Sequence, residues 1–252
     1  MESEAAPTDL LIVAGEASGD LHGARLLSEL TGLAPHIRAF GMGGQELQDA
    51  GMEVIADSSE ISVVGITEVA RILPRARQIF RRLIDEVERR GTKDAILIDF
   101  PDFNLRLAKA LNQRNVRVLY YISPQIWAWR RGRVRSIARL VDRMLVILPF
   151  EVDFYRNHAI EAVHVGHPLV DEVPELEQRW EAVDDPVGPI DIALLPGSRR
   201  SEIAANLPVM LSAGELLSKR HDCRFRLIQA GTVDNSALEG PLADSTLNVE
   251  IV

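Results

Sequence analysis

The sequence has 252 residues, 46% hydrophobic and 26% charged, so it can form the core of one large globular domain or of two modest ones. Its single cysteine, Cys223, excludes a disulfide framework and a cysteine-based metal site, and is typical of a reducing cytoplasm. The first residues are acidic and polar, unlike a secretory signal, and every charge-free run is shorter than the roughly 20 residues that a membrane-spanning helix needs. We therefore expect a cytoplasmic protein that does not cross the membrane.

The net charge of −9 conceals an asymmetry along the chain. Residues 71–143 contain 16 Arg and 2 Lys against 7 Asp and Glu, a local balance of +11, which leaves −20 for the remainder. Such a division predicts one face that attracts anions. Nucleic acid, an anionic membrane surface and phosphorylated substrates all fit this charge, and solvated helix faces are the alternative for any single arginine.

The first predicted strand, residues 9–14, runs through a turn into a helix over residues 21–30. The turn has the sequence Gly15-Glu16-Ala17-Ser18-Gly19-Asp20. Its glycines permit close approach of the backbone to a ligand, and we expect Ser18 or Asp20 to cap the helix, whose N-terminal amides would face an anion. The turn matches neither G-x-G-x-x-G nor a Walker A loop, so tight-turn chemistry explains it as well as phosphate binding does.

An unusually apolar connection follows the next few elements. Those elements are strands over 37–40 and 52–56 and a helix over 45–50, with the loop Gly41-Met42-Gly43-Gly44 after the first of these strands. Residues 61–72 are apolar and lead through Pro74 into a basic helix predicted over 75–90. Such a segment beside arginines predicts either a buried helix pair or an amphipathic surface for lipid. The sequence leaves both interpretations open.

Two carboxylates follow the most apolar short run of the chain. Residues 95–98 predict a strand buried on both faces of a parallel sheet, and Pro101 ends it before a helix over 103–112. Asp99 and Asp102 therefore lie just past the carboxyl end of a central strand, where open α/β sheets bind ligands. The alternative for Asp102 is an N-cap of the helix without a chemical role.

Two tryptophans and an arginine follow the next predicted strand, residues 116–122, in the loop Ser123-Pro124-Gln125-Ile126-Trp127-Ala128-Trp129-Arg130. Trp and Arg together can hold an amphiphile at a headgroup boundary, stack on a sugar or base, or fill a core edge. A loop is an unusual place for two core tryptophans, so we favour binding. Further strands are predicted over 144–148 and 162–165. His164 lies in the second of these strands and His167 just past it, and we interpret the pair as a strand exit and not a metal site.

The pattern restarts after a proline-rich, acidic stretch over residues 168–189, which is typical of an interdomain connection. The elements predicted beyond it are strands over 190–195, 224–229 and 249–252, and a helix over 201–220 kinked at Pro208. Between the first strand and the helix, Gly197, Ser198 and Arg199 form a turn at a helix N-terminus, an arrangement that suits a diphosphate.

Several short motifs occur in the order found in a known family: Gly15-Glu16-Ala17-Ser18-Gly19-Asp20, Gly41-Met42-Gly43-Gly44, Phe100-Pro101-Asp102-Phe103-Asn104, Ser123-Pro124-Gln125-Ile126-Trp127-Ala128-Trp129, Leu148-Pro149-Phe150-Glu151, Val165-Gly166-His167-Pro168 and Leu195-Pro196-Gly197-Ser198-Arg199. Over about residues 9–230 the chain resembles the lipid-A-disaccharide synthases. The resemblance implies an α/β fold of GT-B type, with two Rossmann-like doubly wound domains, the second incomplete in this chain. We expect an acceptor-binding domain over 8–167, a linker over 168–189 and a partial nucleotide-sugar-binding domain over 190–252.

The resemblance also implies a reaction: UDP-2,3-diacylglucosamine and 2,3-diacylglucosamine 1-phosphate (lipid X) form a β-1,6-linked disaccharide 1-phosphate and UDP, with inversion and with neither metal nor cofactor. Asp102 is then the base that deprotonates the acceptor hydroxyl. The implied substrate-binding residues are Gly15, Glu16, Ser18, Gly19, Asp20, Asp99, Asn104, Ser123, Pro124, Trp127, Trp129 and Arg130. The implied nucleotide-phosphate site comprises Gly197, Ser198 and Arg199.

The family's biology implies a Gram-negative bacterial protein on the inner face of the cytoplasmic membrane, peripherally associated, without nucleic acid, and a homodimer if the chain were complete. Two other classes remain open at this point. One is another GT-B enzyme, such as a UDP-N-acetylglucosamine epimerase, which needs no apolar, arginine-rich acceptor region. The other is an inactive truncated chain or a non-catalytic α/β module that binds anions or membranes.

Overall fold

The computed structural model describes residues 7–61, 69–128, 131–172, 188–231 and 233–252, and gives only the backbone of residues 69–72, 131 and 172. The chain divides into two compact units, Met1–Pro174 and Glu175–Val252. This division falls inside the stretch predicted as a linker, where a short helix, Leu169–Glu172, ends the first unit. Each unit is described by itself below.

The first unit is built on one parallel sheet of seven strands. They are β1 Thr8–Ala14, β2 Ile37–Gly43, β3 Glu53–Asp57, β4 Asp94–Ile98, β5 Arg117–Tyr121, β6 Arg143–Val146 and β7 Ala162–His164. Their spatial order is β3-β2-β1-β4-β5-β6-β7, which is the doubly wound Rossmann order extended by one strand. The α/β class of GT-B type is confirmed.

Helices cover both faces of this sheet. They are α1 Ala17–Leu33, α2 Gln45–Asp49, α3 Val69–Arg90, α4 Pro101–Asn112, α5 Val134–Leu140, α6 Pro149–Arg156 and α7 Leu169–Glu172. Side chains that alternate along each strand divide the core: Leu11 and Leu97 belong to the cluster packed by α3 to α6, whereas Ile12 and Ile98 belong to the cluster packed by α1 and α2. The central strands therefore carry unbroken apolar runs, because both of their faces are buried.

One capping prediction and one capping alternative are wrong. Helix α1 begins at Ala17, after Glu16 in extended conformation, and no side chain caps it; Ser18 and Asp20 lie inside its first turns. The N-cap of α4 is Phe100, so Asp102 is the second helical residue and not a cap. Both helices begin earlier than predicted, because residues that the sequence analysis assigned to the turn before each helix are already helical.

The basic helix α3 begins at Val69, so it is longer than the predicted range 75–90 and carries Pro74 in its second turn. Residues 62–68 of the apolar connection lie outside the described residues, so the choice between a buried and a lipid-facing role stays a prediction. Within the described part of the chain, no helix is both long and apolar enough to span a bilayer.

The second unit contains three parallel strands in the order β10-β9-β8. Strands β8 Ile190–Leu194, β9 Cys223–Leu227 and β10 Val249–Ile251 are joined by α8 Arg200–Ser218 and α9 Ser236–Ala243. Leu207, Leu211 and Phe225 form the centre of its core. This is the same strand–turn–helix pattern that opens the first unit, as the sequence predicts.

Candidate functional site

The strand order reverses direction between β1 and β4. In open α/β sheets, ligands bind at such a point, outside the carboxyl ends of the two strands, and we call this place the crevice. Gly15 and Glu16 follow β1, and Asp99 and Phe100 follow β4. Because β1 and β4 are paired in parallel, with Ala14 opposite Ile98, these four residues belong to the same edge. This crevice is the candidate functional site.

The turn after β4 has an unusual backbone. Asp99 and Phe100 are consecutive non-glycine residues in the left-handed region, with φ of 42° and 47°. This conformation costs roughly 1–2 kcal/mol per residue and concentrates at functional sites, where the surrounding structure enforces it. The Asp99 amide donates to the Tyr121 carbonyl at 3.0 Å, so the turn stays attached to the neighbouring strand.

Gly15 allows this turn to form. A Cβ atom built on Gly15 would lie 2.2 Å from the Phe100 ring, so only glycine leaves room for the phenyl group there. The same ring contacts Phe103 with centroids 5.8 Å apart. The glycine predicted to approach a ligand therefore approaches Phe100 and permits the backbone reversal that presents Asp99.

The carboxyl group of Asp99 has a raised pKa. Burial, followed by the negative charge of Glu16, raises the pKa of Asp99 to about 6, although the Phe100 amide acts in the opposite direction. A carboxyl group with a pKa near neutrality can both accept and release a proton under physiological conditions.

This raised pKa predicts a pH-dependent stability. The folded state holds the Asp99 proton more tightly than the unfolded state, so this group makes the free energy of unfolding fall as pH rises from about 4 to about 6. Asp99→Asn cannot lose this proton, so we expect its free energy of unfolding not to fall over this pH range. At pH 7 it should be more stable than the wild type by about 1–2 kcal/mol, a value that allows for the partial solvent access of Asp99. Urea unfolding of both proteins at a series of pH values measures the difference, and parallel curves from pH 4 to 7 would contradict the prediction.

Asp102, the predicted base, lies one helical step beyond the turn. Its Oδ1 is 2.7 Å from Nη2 of Arg133, and its side chain is 71% exposed. The Asp102 carboxylate is therefore ion-paired and mostly exposed to solvent. The two carboxylates thus have different surroundings.

Asp20, predicted to bind substrate, has a structural role. Its buried carboxylate accepts hydrogen bonds from the amides of Gly44, Glu46 and Leu47 at 2.6, 3.0 and 3.3 Å. It therefore caps α2 from a neighbouring helix and joins the two glycine-containing loops. A Cβ on Gly44 would lie 2.6 Å from this carboxylate, which explains the glycine in the second loop.

The tryptophan loop is organised by an acid that the sequence analysis did not select. Glu151 is only 2% exposed, and its Oε1 accepts hydrogen bonds from Ser123 Oγ at 2.5 Å and from Trp127 Nε1 at 3.2 Å. Its Oε2 accepts one from the Leu148 amide at 3.2 Å. The loop motif and the Leu-Pro-Phe-Glu motif are thus one hydrogen-bonded unit, in which Ser123 and Trp127 both bind Glu151.

The Trp127 ring also meets Phe150 edge to face, with centroids 4.9 Å apart, and Phe150 is half exposed. Pro124 is buried, and its carbonyl accepts a hydrogen bond from the Tyr155 hydroxyl at 3.4 Å. Trp129 and Arg130 lie outside the described residues, so their predicted substrate contacts stay predictions. Trp127, in the described part of this loop, and Phe150 form an aromatic pair with an exposed edge.

We expect Glu151→Gln to destabilise the first unit by about 1–3 kcal/mol, because the new amide nitrogen would face the Leu148 N–H, donor against donor. The indole N–H resonance of Trp127 should shift as well. Urea unfolding and ¹H–¹⁵N spectra measure the two effects. Asp153→Asn changes an exposed acid on the same helix and is the matched control; equal stability of the two variants would refute this role for Glu151.

In the second unit, the predicted phosphate turn already holds a carboxylate. Glu202 Oε2 accepts hydrogen bonds from the amides of Ser198 and Arg199 at 3.0 and 3.2 Å, and Arg199 Nη1 is 3.1 Å from Oε1. These donors lower the pKa of Glu202, the Ser198 amide most of all. Gly197 has φ of 123°, and a Cβ there would lie 2.6 Å from Glu202. The turn is therefore an anion-binding arrangement with an internal anion in place.

A cavity of about 410 Å³ opens beside the ends of β5 and β6. Its lining includes Arg25, Tyr121, His167 and Asp171, so charges of both signs surround it. The sequence analysis did not predict this cavity, because its walls come from parts of the chain that are distant in sequence: α1, two strands and the segment after β7. His167, predicted to mark only a strand exit, belongs to this wall.

The profile of one protein family, described as lipid-A-disaccharide synthetase, matches residues 10–249. A lipid-A-disaccharide synthase of Myxococcus xanthus is 50% identical over 240 residues, which is 92% of this chain. One from Anaeromyxobacter sp. strain K is 48% identical over 247 residues, which is 96% of this chain. The chain belongs to the lipid-A-disaccharide synthase family. It spans 62% and 64% of the length of these two relatives, respectively.

Two solved structures similar to this member of the lipid-A-disaccharide synthase family were solved with UDP-GlcNAc or UDP. A UDP-GlcNAc 2-epimerase from Neisseria meningitidis, solved with UDP-GlcNAc, aligns with a TM-score of 0.63 at 13% identity, over 97% of this chain and 72% of its own. The S. aureus MnaA–UDP structure aligns with a TM-score of 0.63 at 8% identity, over 98% and 68%. At such identities the likeness shows the fold alone, so the epimerase alternative has only structural similarity behind it.

Proposed function

We propose that this chain takes part in an inverting glycosyl transfer from UDP-2,3-diacylglucosamine to lipid X, which yields a β-1,6-linked disaccharide 1-phosphate and UDP. Family membership supports the reaction. The observation that carries the chemistry is Asp99, an acid with a pKa of about 6 at the point where the strand order reverses. Since the chain spans less than two thirds of its relatives, the activity is a proposal.

Within this reaction, Asp99 is the better general base of the two carboxylates. An inverting transfer needs a group that removes the proton from the acceptor hydroxyl as the new bond forms. Asp99 is partly buried beside Glu16, whereas the Asp102 carboxylate is exposed and paired with Arg133. We therefore propose Asp99 as the base, and Asp102 as an acid that orients Arg133 near the crevice.

The departing UDP carries negative charge that fixed donors must stabilise. The Ser198 and Arg199 amides and the Arg199 guanidinium already bind the carboxylate of Glu202. We propose that the diphosphate takes the place of this carboxylate, because an anionic oxygen can use the same donors. The test is Glu202→Gln, which should bind UDP more tightly in calorimetric titration; unchanged or weaker binding would argue against displacement.

Association with the inner face of the cytoplasmic membrane is also a proposal. Its support is the basic helix α3, on which Arg77, Arg81 and Arg82 are exposed beside Leu73, and the half-exposed Phe150 next to Trp127. Cationic and aromatic side chains together suit an anionic lipid surface. A homodimer remains part of the same family-based proposal.

The deciding experiment incubates the chain with UDP-2,3-diacylglucosamine and radiolabelled lipid X in detergent micelles. The expected result is a labelled disaccharide 1-phosphate and one UDP per product. Lipid X retained by the chain without transfer would limit it to acceptor binding. Epimerisation of UDP-N-acetylglucosamine, or RNA binding that falls steeply with salt, would overturn the proposal in favour of the other classes.

A further inference from the structure

The backbone carbonyl of Asp99 is held by two buried side chains. The Tyr120 hydroxyl donates to this oxygen at 2.6 Å, and Asn104 Nδ2 donates to it at 2.8 Å. Asn104 Nδ2 also donates to the Ile98 carbonyl at 3.1 Å. Tyr120 and Asn104 are both 0% exposed, so both donors are shielded from solvent.

These hydrogen bonds act on the costliest backbone of the crevice. Two successive left-handed residues, one of them a bulky phenylalanine, are unfavourable unless neighbouring groups enforce them. In this conformation the carbonyl oxygen of the peptide between Asp99 and Phe100 points at the two donors. These hydrogen bonds therefore stabilise the left-handed backbone of the turn relative to an ordinary extended backbone.

Asn104 is a poor choice for stability alone. Its Oδ1 is buried and, among the described residues, accepts no hydrogen bond, which is a desolvation penalty that an apolar side chain would avoid. The two bonds donated by Nδ2 are what this side chain contributes. Both go to the end of β4 and the turn that follows it, so the amide serves that turn and not the body of α4.

We propose that Tyr120 and Asn104 are positioning residues of the transfer reaction: their hydrogen bonds to the Asp99 carbonyl keep the turn left-handed and so hold the Asp99 carboxyl group inside the crevice. The inference rests on the proposed function, because the transfer reaction is the reason for holding the Asp99 carboxyl group in place. Asn104, predicted to bind substrate, acts here through the backbone of Asp99. Tyr120 joins the site without any signal in the sequence, where it reads as an ordinary strand residue.

The test measures the titration of the Asp99 carboxyl carbon by NMR in the 252-residue chain, so it needs no transfer activity. Wild type should titrate near 6, and Tyr120→Phe should lower this pKa by about one unit, a tenfold change in proton affinity, as the turn relaxes and the carboxyl group reaches solvent. The charged and titratable groups around it, Glu16, Asp102 and Arg133, are the same in both proteins.

Tyr155→Phe is the matched control, because Tyr155 is equally buried and its hydroxyl also donates to a backbone carbonyl, that of Pro124. It should leave the Asp99 titration at the wild-type value. An Asp99 pKa that is unchanged in Tyr120→Phe, or that falls equally in both variants, overturns the positioning role. Transfer that survives Asp99→Asn would instead overturn the proposed base, whatever the Tyr120 variant does.

Discussion

Replacing Asp99 by asparagine is expected to slow disaccharide formation by about 10²- to 10⁴-fold while the protein stays folded, since this is the usual effect of removing a general base. Asparagine has nearly the same shape and can still accept the Phe100 hydrogen bond, but it cannot take a proton. The loss should therefore appear in kcat more than in KM. A steady-state assay with lipid X as the varied substrate measures both parameters.

Asp102→Asn is the control for this prediction, because it changes an acid three residues further along the chain. Its ion pair with Arg133 is largely exposed, and such pairs contribute at most about 1 kcal/mol, so we expect less than about a tenfold change in rate. If Asp102→Asn abolishes transfer and Asp99→Asn does not, Asp102 is the base, as the sequence motif alone suggests.

Replacing Asp20 by alanine is expected to lower the free energy of unfolding by about 2–4 kcal/mol, one of the largest effects of a single side chain in the first unit. The substitution removes the shared acceptor of three backbone amides at the start of α2. The Leu47 amide is buried and the bonds of the other two amides are partly buried, so water replaces the lost hydrogen bonds only in part. Urea unfolding followed by circular dichroism measures the change.

Asp49→Ala separates this effect from a general sensitivity of α2 to lost charge. Asp49 lies on the same helix, is exposed and accepts a hydrogen bond only from the Gln45 side chain among the contacts described for it. We expect a change below about 0.5 kcal/mol. Equal destabilisation by the two substitutions would mean that the carboxylate of Asp20 has no special part in joining the loops.

The strands were predictable because burial on both faces of a parallel sheet leaves a local pattern. The apolar run before Asp99 predicts β4, and the structure places it over Asp94–Ile98, next to β1 as a ligand-binding edge requires. Helix starts were less predictable, because residues such as Ser18 and Asp20 favour both turns and first helical turns.

The roles of individual acidic residues could not be predicted from the local sequence pattern, because the groups that bind them are distant in sequence. Asp20 is bound by amides 24 to 27 residues later, and Glu151 is bound by a serine 28 residues earlier.

The left-handed backbone of Phe100 was also not predictable, since phenylalanine is among the residues least expected to have positive φ. Only the packed surroundings, with Gly15 under the ring, make it acceptable.

The central place of β1 in the sheet has a consequence for how this chain folds. One edge of β1 pairs with β2, which is close in sequence, whereas the other pairs with β4, in the register Leu10 to Asp94. Contacts of such long sequence separation form late, so folding should be slow relative to helical proteins of this size. During synthesis, an emerging chain that has not reached β4 leaves this apolar strand edge open to other molecules, and we expect fragments that stop before Asp94 to aggregate.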